Sequence, residues 1–366
     1  MAPPYLHIIT FAKYLCLLII TISLFSCSEE PLPINFNCDA VEFSCLSVSP
    51  RVTDEPSIVS RLRVVDNTIV DDNCSCQVIR GITIPEPFFL LRIDREDPLT
   101  YLTDLKDNWN VDIIRIPVHP ELWSNLSNYK RDYLDPIVEI AGQLGIYTYV
   151  GWYAHGNIDK QEPFLPDWRN RSPWRGNPYD VDIELATSFF DAITEDYKTK
   201  PWVVYGVFNE PCEGIDWDTW KPYAEDLADI ILDVNPESLV FVSGTNFGYD
   251  LSDVPNNPLR QKNIVYETHP YPHKGESWKR DILKVQVNYP VYVGEWGFCD
   301  DTTLRSCDES LQADQDEYGE AFLQFCKDNK IGWTAWIHSP TWTPNLFDRK
   351  GEFTNFGELV HRSLKE

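Results

Sequence analysis

Residues 202–211 read Trp202-Val-Val-Tyr-Gly-Val-Phe-Asn-Glu-Pro211, an apolar run that ends in an amide, a carboxylate and a proline. A β-branched and aromatic stretch without alternation marks a strand buried on both faces, the habit of parallel sheets covered by helices. Working outward, the same strand-then-helix unit recurs on both sides. Strands are predicted at 81–84, 112–118, 146–150, 202–208, 239–242, 263–266, 291–293 and 332–337. Segments of helical period lie between them at 99–109, 131–144, 181–198, 217–234, 277–287, 314–328 and 356–364, with a short or irregular helix at best after the fifth strand. Eight such units imply an α/β chain closed into a (β/α)8 TIM barrel. No sequence repeat is visible.

In such a barrel the C-terminal ends of the strands form the functional rim. Arg115, His155, Asn209, Glu210, His269, Tyr271, Glu295 and Trp336 all fall at or near predicted ends. Glu210 closes the quoted stretch, and Glu295 closes its counterpart Pro290-Val-Tyr-Val-Gly-Glu-Trp-Gly297. Two acids set close together in a cleft cannot easily both stay charged. Cleavage of a glycosidic bond needs that arrangement: one carboxyl protonates the leaving oxygen, and one carboxylate attacks or activates water. The long insertion 153–180 carries Trp168 and Trp174 and is expected to wall the cleft. Trp342 is a further candidate sugar platform.

A net charge of −26 over 366 residues repels phosphate backbones and anionic membranes, so nucleic acid is excluded and a neutral ligand is expected. Thirteen tryptophans suit the apolar faces of sugars. At the N-terminus, Lys13 precedes an apolar run of signal-peptide length, and Leu24-Phe-Ser-Cys27 is similar to a bacterial lipoprotein box. The expected organisation is a leader at 1–26, a tether at 27–37, a cysteine-containing extension at 38–79 and a catalytic barrel at 80–366. Cys38, Cys45, Cys74, Cys76, Cys212, Cys299, Cys307 and Cys326 form an even set that suggests disulfides, with Cys299 and Cys307 the simplest local pair. Cys74-Ser-Cys76 lacks a matching pair at ligand spacing, and neither a metal nor another cofactor is expected.

Over residues 80–366 the chain resembles glycoside hydrolase family 5, the cellulase-like barrels. Asn209-Glu210-Pro211 is similar to that family's acid/base motif, and Gly294-Glu295-Trp296-Gly297 to its nucleophile motif. Arg115 in Ile113-Ile-Arg-Ile-Pro117 matches the second-strand arginine, His269-Pro-Tyr271 the sixth-strand pair, and Trp336 the eighth-strand tryptophan. The third strand departs: Gly151-Trp152-Tyr153 stands where the family has Asp-Trp-His, with His155 two residues on, so either Tyr153 or His155 takes the sugar-binding role.

The resemblance implies a retaining mechanism in which Glu295 attacks and Glu210 serves as acid and then base. Arg115 and Tyr271 would orient Glu295, Asn209 would bond a sugar 2-hydroxyl, His269 would bond sugar or Glu210, and Trp336 would floor the reacting ring. The expected protein is an exported monomer, secreted or held to a membrane only through a lipid on Cys27. Its expected substrate is a β-1,4-linked polysaccharide or oligosaccharide of cellulose, β-glucan, mannan or xyloglucan type, cut endo-wise. An exo-β-glucosidase or transglycosylase on the same barrel, and a non-catalytic glycan-binding surface protein, are the competing readings.

Overall fold

Eight parallel strands close on themselves in the order β10-β11-β12-β13-β3-β4-β5-β8, where β3 is Arg80–Thr83, β4 Ile113–Val118, β5 Tyr147–Trp152, β8 Val203–Gly206, β10 Val240–Ser243, β11 Ile264–Thr268, β12 Val291–Trp296 and β13 Gly332–Ala335. This is the (β/α)8 barrel expected from the alternation, and the predicted strands locate all eight members. The computed structural model describes residues 59–165, 177–300 and 307–366, all within one compact unit. The predicted leader and tether, Cys27, Cys38, Cys45, Trp168 and Trp174 lie outside the described residues.

Strand periodicity sorts each side chain. On β4, Ile113 and Arg115 face the barrel interior, while Ile114 and Ile116 face the helices. The outer layer comprises α1 (Pro98–Asp107), α3 (Asp135–Gln143), α4 (Ile183–Tyr197), α5 (Trp217–Val234), α7 (Ser277–Gln286), α8 (Ala321–Asn329) and α9 (Asn355–Lys365), plus a short α2 (Pro120–Asn125) that the sequence reading did not anticipate. Several starts are fixed by capping side chains: Asp97 for α1, Asp182 for α4, Asp216 for α5 and Thr354 for α9 accept backbone N–H groups of the first turn. After β10 the chain makes only one turn, α6 (Thr245–Gly248), with Asn246 and Phe247 in the left-handed region, in line with the irregular helix expected there.

The opposite mouth of the barrel is closed by residues just before β3. A hairpin of β1 (Arg63–Val65) and β2 (Thr68–Val70) brings Leu62 and Ile69 against Ile113, Tyr147, Val204, Phe241 and Val265 of the interior. The Tyr147 hydroxyl donates to the Ser60 carbonyl at 2.6 Å. Among the cysteines, Cys299 and Cys307 are bonded as expected, and Cys74 and Cys76 are both disulfide-bonded. Cys212 and Cys326 are buried free thiols, so the even count did not mean universal pairing. Cys326 lies in the apolar core, where a thiol packs as a small hydrophobe.

Two rim features were not expected. Glu210 does not sit at the tip of β8; it belongs to a separate two-residue strand, β9 (Glu210–Pro211). With β6 (His155–Asn157) and β7 (Glu162–Pro163), β9 forms a small sheet above the barrel. On β12 the register against β13 shifts between Val293 and Trp296, three residues against two. Such a bulge re-aims the side chain beyond it. Glu295 consequently turns inward, and Trp296 turns outward onto Phe322, Trp333 and Phe356.

Candidate active site

The rim brings Glu210 and Glu295 together. Carboxylate oxygens of these two residues and a ring nitrogen of His269 all lie within 4.8 Å of one another. Glu295 is held from two sides: Arg115 donates to Oε1 at 2.7 Å, and the Tyr271 hydroxyl donates to Oε2 at 3.0 Å. Together the two hydrogen bonds fix the orientation of the carboxylate. Glu210 lies between two imidazoles, with His269 Nδ1 at 2.9 Å from Oε1 and His155 Nδ1 at 3.2 Å from Oε2.

Proton positions follow from which partners can only donate or only accept. Arg115 donates to Asn209 Oδ1, which turns the Asn209 amide nitrogen to His155 Nε2 at 2.9 Å. His155 Nε2 therefore accepts, and its Nδ1–H points at Glu210. Burial holds His155 neutral by pushing its pKa down to about 3. For His269, burial also opposes the charge, yet Glu295, Glu210 and Glu267 outweigh it and raise the pKa to about 9. Two imidazoles on one carboxyl thus carry different charges.

Beside the acids stands a layered aromatic wall. The Trp336 ring lies parallel to Tyr153 at 5.5 Å, and Tyr153 lies parallel to His119 at 5.1 Å. Trp342 packs over His119 at 5.8 Å, and Tyr179 stacks on His155 at 4.0 Å. The two candidates at the third strand diverge in space: His155 reaches Glu210 and Asn209, whereas Tyr153 lies beside Trp336. Arg115 is 1% exposed and lies beneath the carboxylates. All the candidates among the described residues converge, with Trp342 at the outer end of the wall.

Glu267 is a buried carboxylate of this cluster that the sequence reading missed. It is fully buried inside the barrel, where it accepts from Arg115 at 3.2 Å, from His269 Nε2 at 2.8 Å and from the Tyr149 hydroxyl. The signal was present in Glu267-Thr-His269: period two puts both side chains on one face, and a carboxylate inside an apolar strand demands a partner. His119 and Tyr179 were missed because neither lies in a recognisable motif.

Glu210, His269 and Glu295 could in principle hold a cation, since their ligand atoms are close enough. The set fits a metal poorly. The Arg115 guanidinium already occupies Glu295 at 2.7 Å, and His269 is held as a cation by its carboxylates, so a metal would meet two like charges.

The family described as cellulase (glycosyl hydrolase family 5) matches residues 91–341. The chain belongs to glycosyl hydrolase family 5. Within the family it is 25% identical over 285 residues to an endoglucanase of Clostridium saccharobutylicum, covering 76% of this chain and 57% of that protein. It is also 25% identical over 275 residues to endoglucanase E-5 of Thermobifida fusca, covering 72% and 53%. The chain thus spans little more than half the length of these relatives. A β-glucanase structure from Saccharophagus degradans superposes with a TM-score of 0.77 at 25% identity, covering 84% of this chain and 94% of that one; the same enzyme has been solved with cellotetraose.

Proposed function

We propose that this family 5 chain is a retaining endo-acting β-glycanase that hydrolyses a β-1,4-linked polysaccharide, with glucan the favoured class. The observation that carries the reading is that a carboxylate oxygen of Glu210 and one of Glu295 lie within 4.8 Å of each other. Retaining enzymes place their two carboxyls about 5–5.5 Å apart, whereas inverting enzymes leave about 6.5–9.5 Å for a water. Relatives named as endoglucanases, and a β-glucanase solved in complex with cellotetraose, support the glucan and the endo mode.

In the first step Glu295 attacks the anomeric carbon, the glycosidic C–O bond breaks, and Glu210 gives its proton to the departing oxygen. In the second, Glu210 takes a proton from water as that water displaces Glu295 from the sugar. Arg115 and Tyr271 present Glu295 as an oriented carboxylate. The unused N–H of Asn209 is suited to the sugar 2-hydroxyl, and Trp336 with Tyr153 offers an apolar face to the ring. We assign Trp342 to sugar binding as well, together with Trp168 and Trp174 of the insertion, which lie outside the described residues.

Export is part of the same reading. Disulfide bonding at Cys299–Cys307, Cys74 and Cys76 supports an oxidising compartment. Among the described residues no helix is long and apolar enough to cross a membrane. We assign residues 1–26 as a lipoprotein-type leader, Cys27 as the lipid attachment point, 27–37 as a tether and 38–79 as the clipped extension before the barrel.

The decisive experiment is proton NMR of the first product released from barley mixed-linkage glucan or a cello-oligosaccharide. Initial β-anomer supports retention; initial α-anomer overturns it. Product lengths from the same digest report endo or exo action.

A further inference from the structure

We propose that Glu267, a carboxylate with no access to the cleft, is a positioning residue that keeps His269 doubly protonated and so holds the site at constant charge while negative charge passes between Glu295 and Glu210. The inference rests on the glycosidase reading above and deepens it.

The geometry is a bridge. Arg115 contacts Glu295 and Glu267; His269 contacts Glu267 and Glu210. Glu267 therefore joins the two cationic side chains, and through them the two reacting acids. The barrel reserves space for it: a Cβ on Gly294 would fall 1.9 Å from Glu267 Oε1, so the residue before the nucleophile must lack a side chain. All three partners of Glu267 donate, which leaves it no role as a proton donor and fixes it as a buried negative charge.

Charge conservation follows from counting. Before attack Glu295 is ionised and Glu210 carries the proton. The carboxylates then hold two negative charges, on Glu295 and Glu267, against Arg115 and a doubly protonated His269. After attack Glu295 is esterified and Glu210 has lost its proton to the leaving group. The two negative charges now sit on Glu210 and Glu267, against the same two cations. In a buried site an uncompensated charge is costly, so a constant balance removes a penalty from the glycosyl-enzyme state. Without Glu267, His269 would lose the one hydrogen-bond partner that is a carboxylate both before and after attack.

The groups facing His269 are few. Glu210 comes from β9, Glu267 from β11 just before it, and Glu295 from β12, with Arg115 of β4 and Tyr149 of β5 behind Glu267, His155 on β6, Tyr271 two residues on and the Gly248 backbone of α6 against the ring. Of these only the carboxylates favour its charge, which agrees with its elevation to about 9.

The test is 15N NMR of histidine-labelled protein between pH 6 and 10, with the His269 signal assigned by its loss in His269→Asn. In the wild type both ring nitrogens of His269 should carry protons at pH 7.5. In Glu267→Gln that state should titrate about 1–3 units lower, the scale on which one adjacent charge acts. The alkaline limb of kcat/KM on cellotetraose should move down with it, and Glu267→Asp, which keeps the charge, should restore the limb. A neutral wild-type His269 at pH 7.5 overturns the proposal, as does a folded Glu267→Gln with an unmoved alkaline limb. If Glu267→Gln does not fold, the wild-type spectrum decides alone. The NMR titration needs no substrate, so the two failures are distinguishable: a protein that cleaves no glucan fails the glycosidase reading and leaves only the link between Glu267 and the protons of His269, whereas a neutral His269 in an active enzyme fails this inference alone.

Discussion

His155 and Glu210 are parallel backbone neighbours on the small rim sheet, and His155 Nδ1 stands 3.2 Å from the Glu210 carboxylate. The pairing fixes where the candidate acid points, because β9 is only two residues long and has no support from β8. His155→Ala is therefore expected to lower kcat/KM by about 10- to 100-fold, up to the low end of what general acid–base catalysis contributes, beyond the loss of stability that its cavity beside Tyr179 causes. Steady-state kinetics and a thermal melt check it; unchanged kcat/KM would remove His155 from the site.

The two acids should separate chemically. Glu295→Ala is expected to abolish turnover on every glycan. Glu210→Ala should spare the first step for an aryl cellobioside whose leaving group needs no proton, and added azide should raise its turnover and yield a β-glycosyl azide. An α-azide would contradict double displacement, and no rescue would reassign Glu210.

Tyr271 donates to Glu295 Oε2 at 3.0 Å. Tyr271→Phe removes one hydroxyl and leaves the ring, so folding should be nearly unaffected while kcat falls about tenfold, the value of one charge-assisted hydrogen bond to a reacting group. A change in KM alone would instead indicate a sugar-binding role.

Gly294→Ala places a methyl group where the Glu267 carboxylate lies. The barrel interior cannot yield without breaking contacts to Arg115 and His269, so a destabilisation of about 1–3 kcal/mol is expected, with activity lost beyond that fold effect. Urea unfolding measures the first and kinetics the second.

Stability should peak near pH 6.5. Burial lowers His119 and His155 to about 3 and His338 to about 4. These histidines take up protons only when the chain unfolds, so stability falls as pH drops below the unfolded value of about 6.5. On the other side, His269 is raised to about 9: its contribution is full below about 6.5 and is lost as pH rises through 9. Glu86, raised by burial to about 8, adds to the alkaline loss, because the unfolded carboxyl ionises long before the folded one. Between about pH 4.5 and 6.5 the three depressed histidines outnumber Glu86, so the acid limb should still fall toward low pH. Urea midpoints at pH 5, 6.5 and 8 test this; a midpoint that climbs steadily to pH 8 would contradict it.

What could be read without coordinates was whatever repeats locally. Buried strands announce themselves by unbroken β-branched and aromatic runs, and helices by their period, so residues 202–211 and their counterparts specified the barrel and put Glu210 and Glu295 at its rim. The family motifs carried the same residues. Boundaries were less legible: Glu295 lies inside β12 because a bulge lengthens that strand, and a bulge has no periodic signature.

The sequence by itself determined the barrel and the pair of acids, since both follow from the chemistry of neighbouring residues. Only the tertiary structure decided that His155 rather than Tyr153 reaches Glu210, that Glu267 ties Arg115 to His269, and that Gly294 must make room for it. Those relationships join strands far apart in the chain. Which side chains meet across a closed sheet depends on register and shear, and on charges that find each other only once water has been excluded.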